Sequence, residues 1–184
     1  MGKLDGRIAI VTGTSRGVGV GIAHALLAEG ATVVGCSRGE LAALPGTDDN
    51  PDWAGRSAQW VCDQGDVEAI DAFVQRVVDT YGRIDILVNN AGATWGANAE
   101  DYPDAAWNKV MDLNVNAPFF LSREVGKRVM IPKGRGNVII TASVAAFKGT
   151  PPGMNTVAYN TSKAAAVHLA RTLASEWGHY GIRV

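Results

Sequence analysis

Ile8-Ala9-Ile10-Val11-Thr12-Gly13-Thr14-Ser15-Arg16-Gly17-Val18-Gly19 decides the fold. The first four residues are a short apolar run of strand character, and a glycine-rich turn follows at once. From Val18 to Ala28 the pattern is helical, with Ile22, Leu26 and Leu27 on one side. A strand, a tight turn and a helix start together make an anion site, because backbone N–H groups and the helix dipole converge on a phosphate. Glycines are needed where a side chain would strike a pyrophosphate or hold helix and strand apart. The spacing is Gly-x-x-x-Gly-x-Gly, not the Gly-x-Gly-x-x-Gly of the common dinucleotide fingerprint.

Working outward, strand and helix patterns alternate along the chain, which predicts a parallel sheet covered on both faces. Strands are expected at Ile8–Val11, Thr32–Cys36, Ala58–Cys62, Ile84–Val88 and Asn137–Thr141. Helices are expected at Val18–Ala28, Val67–Tyr81, Asp104–Leu113, Ala117–Met130 and Tyr159–Trp177. The fold class is therefore α/β, a doubly wound parallel sheet of the Rossmann type in three layers, in a single dinucleotide-binding and catalytic domain over 1–184. The polar, turn-rich stretch from Leu44 to Asp52 reads as a surface loop between the second and third strands.

A second cluster names a chemistry. Tyr159 and Lys163 stand four apart in a helical pattern, which puts the phenol and the ammonium on one face, one turn apart. A free phenol has a pKa of about 10, and a cation held beside it favours the phenolate. Such a phenol is a usable proton donor or acceptor. Ser143 closes an apolar strand, where a hydroxyl can donate to a substrate carbonyl and stabilise a developing alkoxide. A nucleophilic serine is the rival reading. The Gly-x-Ser-x-Gly signature of a hydrolase is missing around Ser143, and His24, His168 and His179 read as ordinary helix or turn residues.

In these residues the chain resembles the short-chain dehydrogenase/reductase family. The matching elements are Thr12-Gly13-x-x-x-Gly17-x-Gly19, Asn89-Asn90-Ala91-Gly92, Asn114, Ser143 and Tyr159-x-x-x-Lys163, in the family's order and over nearly the whole chain. The resemblance implies a catalytic set of Asn114, Ser143, Tyr159 and Lys163. Asn114 is chosen over nearby Asn116 as the amide that kinks its helix and holds a water beside the lysine. Cofactor contacts are implied at Gly13, Ser15, Arg16, Gly17, Val18 and Gly19 in the turn. Further contacts are implied at Ser37 and Arg38, at Asn89, Ala91 and Gly92, and at Tyr159 and Lys163. Asp63 is similar to the acid that contacts the adenine, or else it caps the helix near Val67.

The stretch Cys36-Ser37-Arg38 has no acid to bond the ribose hydroxyls of NAD, and Arg16 adds a second guanidinium, so NADP(H) is expected over NAD(H). The implied activity is hydride transfer between NADP(H) and a ketone or secondary alcohol. Gly92-Ala93-Thr94-Trp95-Gly96 and Tyr102-Pro103 resemble the β-ketoacyl reductase branch, which suggests a 3-oxoacyl thioester. A sugar or polyol dehydrogenase, or a silent nucleotide-binding fragment, is the alternative. Trp95, Pro151, Pro152 and Met154 are expected to rim the site.

Composition narrows the partners. The chain has 184 residues, 47% hydrophobic and 19% charged, enough for one cored domain, and a net charge of −1 speaks against nucleic acid or an anionic membrane. No run approaches the ~18 apolar residues of a membrane span. Met1–Gly6 leads into the first strand without a signal-peptide apolar region. Cys36 and Cys62 read as small apolar residues kept reduced, and the expected location is cytoplasmic. Extra apolar surface on the helices at 117–130 and from 159 onward suggests, with the resemblance, a homodimer or homotetramer. Lys127, Arg128, Lys133 and Arg135 read as a solvated basic helix end. Gly181-Ile182-Arg183-Val184 opens a sixth strand. Family members continue past this point, so the chain is expected to lack the closing strands and the substrate lid, leaving an edge of the fifth strand uncovered.

Overall fold

The computed structural model describes residues 2–184. Among them, six parallel strands form one sheet: β1 Ile8–Thr12, β2 Thr32–Ser37, β3 Ser57–Val61, β4 Ile86–Asn89, β5 Gly136–Ile140 and β6 Ile182–Arg183. Their spatial order is β3-β2-β1-β4-β5-β6. The doubly wound α/β reading is what the chain adopts. β1 and β4 are buried along their whole length, which is why they read as unbroken apolar runs and not as alternating ones. Their alternate residues serve different cores. Ile8 and Ile10 pack with Phe73, Val77 and Leu121 on one face, while Ala9 and Val11 pack with Ala23, Leu27 and Val33 on the other.

The helices are α1 Val18–Ala28, α2 Pro51–Gly55, α3 Val67–Tyr81, α4 Asp104–Met111, α5 Ala117–Val125, α6 Ile131–Lys133 and α7 Val157–Trp177. The two helices expected at 104–113 and 117–130 are one rod, because a widened π turn at Asp112–Asn116 joins α4 to α5. Pro118 has no N–H to return to the carbonyl four residues earlier, so a regular turn there would already lack a bond. A second such turn, Gly126–Met130, precedes α6.

Three expectations change. The fifth strand is not left wholly uncovered, because Gly136 and Asn137 of β5 pair with Ile182 and Arg183 of β6. The loop at 44–52 is not a plain surface excursion: Leu44 and Thr47 are buried, and Asn50 caps the short α2 by accepting from the Trp53 N–H. Gly35 leaves space shared by Gln59, Thr14 and Leu44, since a Cβ there would lie 2.4 Å from Gln59 Oε1, 2.5 Å from Thr14 Oγ1 and 2.9 Å from Leu44 Cδ1. His24 holds the same loop from α1, bonding to the Pro45 carbonyl at 2.8 Å. The basic helix end is likewise not simply solvated. Arg128 binds Asp71 and Gln75 on α3 and Glu124 on α5, and Lys133 donates to the Gly82 carbonyl. Cys36 and Cys62 are free and buried, as expected of apolar stand-ins.

The strand order reverses between β1 and β4, so the connections leaving their carboxyl ends diverge. A crevice opens there, at the place where open α/β sheets bind their ligands.

Candidate active site

The glycine turn forms the floor of that crevice. Gly13 has φ +73° and faces Ala91 so closely that a Cβ would lie 2.9 Å from its Cα. A Cβ on Gly19 would lie 2.2 Å from the Gly13 carbonyl oxygen and 2.8 Å from Asn90 Nδ2. Gly17, at φ +66°, precedes α1 and offers it no side-chain cap, and no acid stands in the first turn. The helix start therefore keeps free N–H donors and its positive dipole end for an anion. Thr12 fastens the opposite wall, its Oγ1 accepting from the N–H groups of Asn90 and Ala91 at 2.9 Å each.

From this floor a cleft of about 790 Å³ runs along the carboxyl ends of the strands. Gly13, Ser15, Arg16, Val18, Gly19, Ser37 and Arg38 line its near end; Ala91 and Gly92 line the middle. Ser143, Tyr159 and Lys163 face its far half. Gly17 shapes the turn through its backbone without lining the wall. Asn89 does not line the cleft either: it is buried behind the wall and donates to Ser122 Oγ at 3.0 Å. Asp63 is exposed and does not line the cleft, its Oδ1 accepting from the Gly65 N–H at 3.0 Å, while the neighbouring buried Gln64 does line it. Asp63 does not cap α3; Asp66 does, accepting from the Glu68 N–H. Met154 and Pro151 reach the cleft, whereas Trp95 and Pro152 do not line it. None of the three histidines lines it, which leaves Ser143 without an imidazole base.

Asn114 sits inside the π turn and is buried. Its Oδ1 accepts from the Ala93 N–H at 2.8 Å, and its Nδ2 donates to the Ala93 carbonyl at 2.9 Å and to Ser162 Oγ at 2.8 Å. One amide thus ties the chain after β4 to α7. Asn116 is exposed and donates to Asp112. A helix widened by one residue is a common way to aim such a side chain.

Ser143 has extended backbone, and its Oγ accepts from the Ala145 N–H at 3.2 Å at the start of a short 3₁₀ turn, Val144–Ala146. Lys163 is 5% exposed and donates to the Thr141 carbonyl at 2.7 Å. Burial pushes its ammonium below the usual lysine range. Its Nζ lies 5.7 Å from the centre of the Tyr159 ring, one turn back on α7. Gly92 fits between Asn114 and Lys163: a Cβ there would lie 3.1 Å from Asn114 Oδ1 and 3.6 Å from Lys163 Nζ. The free helix start, the glycine clearances and a long cleft ending at a phenol, a hydroxyl and an ammonium fit an extended dinucleotide with its reactive end beside Tyr159.

Known proteins share this fold. The profile of the family described as short chain dehydrogenase matches residues 7–184. The 2-dehydro-3-deoxy-D-gluconate 5-dehydrogenase of Pseudoalteromonas atlantica is 41% identical over 185 residues, covering 99% of this chain and 70% of its own length. A metagenomic short-chain oxidoreductase solved in complex with NADP superposes with a TM-score of 0.89 at 34% identity, covering 98% of this chain and 80% of that one. An NAD+-bound xylitol dehydrogenase gives the same TM-score and identity, over 99% of this chain and 69% of that one.

Proposed function

Because this chain belongs to the short-chain dehydrogenase family, an oxidoreductase family acting on alcohols and ketones, we propose that it moves a hydride between a nicotinamide dinucleotide and a secondary alcohol of a sugar or polyol. The carrying observation is that Ser143, Tyr159 and Lys163 share one cleft with the glycine turn. The bound nicotinamide supplies or takes the hydride. Arg16 and Arg38 line the glycine-turn end of the cleft, and two guanidiniums without an acid beside them there support NADP(H) over NAD(H). The names of the relatives shift the substrate from the 3-oxoacyl thioester first expected to the sugar and polyol alternative.

Each side chain has a task in this reading. Ser143 donates a hydrogen bond to the substrate oxygen, keeping its own proton, and fixes the direction of the C–O bond. Tyr159 gives a proton to that oxygen in reduction and takes it in oxidation. Lys163 lies on the same side of α7, so charge developing on the phenol oxygen meets a cation; its ammonium would also hold the nicotinamide ribose. Asn114 keeps the wall at Ala93 and the start of α7 in register, beside the lysine that relays the proton to solvent.

The test is a panel of alditols, aldonates, ketoses and a 3-oxoacyl thioester, assayed with NADP(H) and with NAD(H), in parent and Tyr159→Phe protein. The variant is expected to lose about 10²-fold or more in kcat while keeping its cofactor affinity. A phenylalanine variant with most of its turnover removes the reading. Cofactor binding without turnover of any substrate would leave a nucleotide-binding protein only.

A further inference from the structure

Every charged residue on the cleft wall is a cation. Arg16 and Arg38 stand at the nucleotide end, Lys163 is central, and Lys148 lies at the far end; no Asp or Glu among the described residues lines the cleft. The first three have tasks in the reading above, and Lys148 has none. It lies on the chain between β5 and α7, exposed, and it forms none of the ion pairs seen among the described residues.

Its place is nevertheless built. Asn160, the residue after Tyr159, donates from Nδ2 to the Lys148 carbonyl at 3.4 Å, and its Oδ1 accepts from Thr156 Oγ1 at 3.0 Å. The backbone of Lys148 is thereby tied to the turn of α7 that carries the phenol. An ammonium on a flexible four-carbon stem, with its backbone fixed beside that turn, can reach a substrate lying in the cleft. Neutral hydroxyls offer such a group little more than water does. A carboxylate offers a charge-assisted bond, and a cleft walled by one sign of charge concentrates anions.

We propose that Lys148 receives a carboxylate of the substrate, so that the alcohol oxidised here belongs to a sugar acid and not to a neutral polyol. This rests on the hydride-transfer reading given above and narrows its substrate. The experiment uses matched pairs that differ only in a terminal carboxylate or hydroxymethyl group, D-gluconate with D-glucitol and D-galactonate with galactitol, in parent, Lys148→Met and Lys148→Arg protein. In the parent, kcat/KM is expected to favour the acid of a pair by about tenfold or more, the usual gain of one hydrogen bond to a charged group. Lys148→Met should bring the ratio close to unity through KM for the acid, with an unchanged melting temperature, and Lys148→Arg should keep most of it. Added salt should lower kcat/KM for the acid in the parent and leave the methionine variant flat. A parent that favours the alditol, or a methionine variant that keeps the acid preference, overturns the proposal while hydride transfer stands. Failure of all four compounds, with a different substrate class turned over in the panel, overturns the sugar reading and this one together.

Discussion

Replacing Asn114 by alanine should unfold more than it should inactivate. The amide makes three hydrogen bonds between 2.8 and 2.9 Å at a site 1% exposed, and two of them close on the backbone of Ala93. Truncation leaves the Ala93 N–H and carbonyl without that partner and deprives Ser162 Oγ of a donor. At about 1 kcal/mol per net bond, with the buried N–H adding its desolvation penalty, the cost is about 3 kcal/mol. For a domain of this size that lowers the melting temperature by about 6–12 °C. Urea titration followed by tryptophan fluorescence measures it, with Tyr159→Phe as the control. The control removes one oxygen from a half-buried ring and should shift the melting temperature by less than about 2 °C. Asn114→Asp separates polarity from volume, since it keeps an acceptor for the Ala93 N–H and faces the Ala93 carbonyl with a second oxygen. It should be no better than alanine. An alanine variant within about 0.5 kcal/mol of the parent would refute the claim that this side chain braces the wall.

Two further outcomes follow from single contacts. Gly19→Ala drives a Cβ to 2.2 Å from the Gly13 carbonyl oxygen, so the turn must open; nicotinamide cofactor affinity should fall about tenfold or more by fluorescence titration, and the fold should lose about 1–3 kcal/mol. Burial pushes the Asp85 carboxyl up, but Arg83, the Ile8 N–H and Arg7 outweigh it and hold it below the usual 3.8. A lowered acid stabilises the folded state above its unfolded pKa and stops doing so as pH falls through the folded value. Asp85→Asn should therefore cost about 2 kcal/mol at neutral pH, and the gap should close below pH ~4, as thermal melts across a pH series would show.

The parts of the molecule that could be read from residues alone are those whose pattern is local. The run from Ile8 to Gly19 carries strand, turn and helix in sequence, and the φ values of Gly13 and Gly17 are what such a turn demands. The pairing of Tyr159 with Lys163 needs only the pitch of a helix. What was not legible depends on a distant partner. Leu44 is buried in the cluster with Leu27 and Val33, with Gly35 leaving it clearance, and no periodicity in a nine-residue loop shows that. Asp63 and Gln64 are adjacent, and nothing in the sequence says that the neutral amide is buried at the cleft wall while the carboxylate stays exposed in a turn with Gly65. The two helices at 104–130 are continuous because a widened turn tolerates Pro118, where a sequence reader sees a break. Arg128 reads as a surface charge until α3 brings Asp71 beside it.

The Asn114 amide has a consequence for anyone altering this protein's selectivity. It welds the segment after β4, the rod through Asp112–Asn116 and the start of α7 into a single stiff frame. Changes made on one member of that frame will be felt by the others, so libraries aimed at Ala91–Ala93 will mostly yield dead clones. The stretch from Phe147 to Asn155 stands outside the frame, moored by the bonds of Asn155 to Asn98 and the Ala97 N–H and by the bond of Asn160 to the Lys148 carbonyl. Diversity belongs there, where the hydride machinery can stay as it is while the choice of alcohol is rewritten.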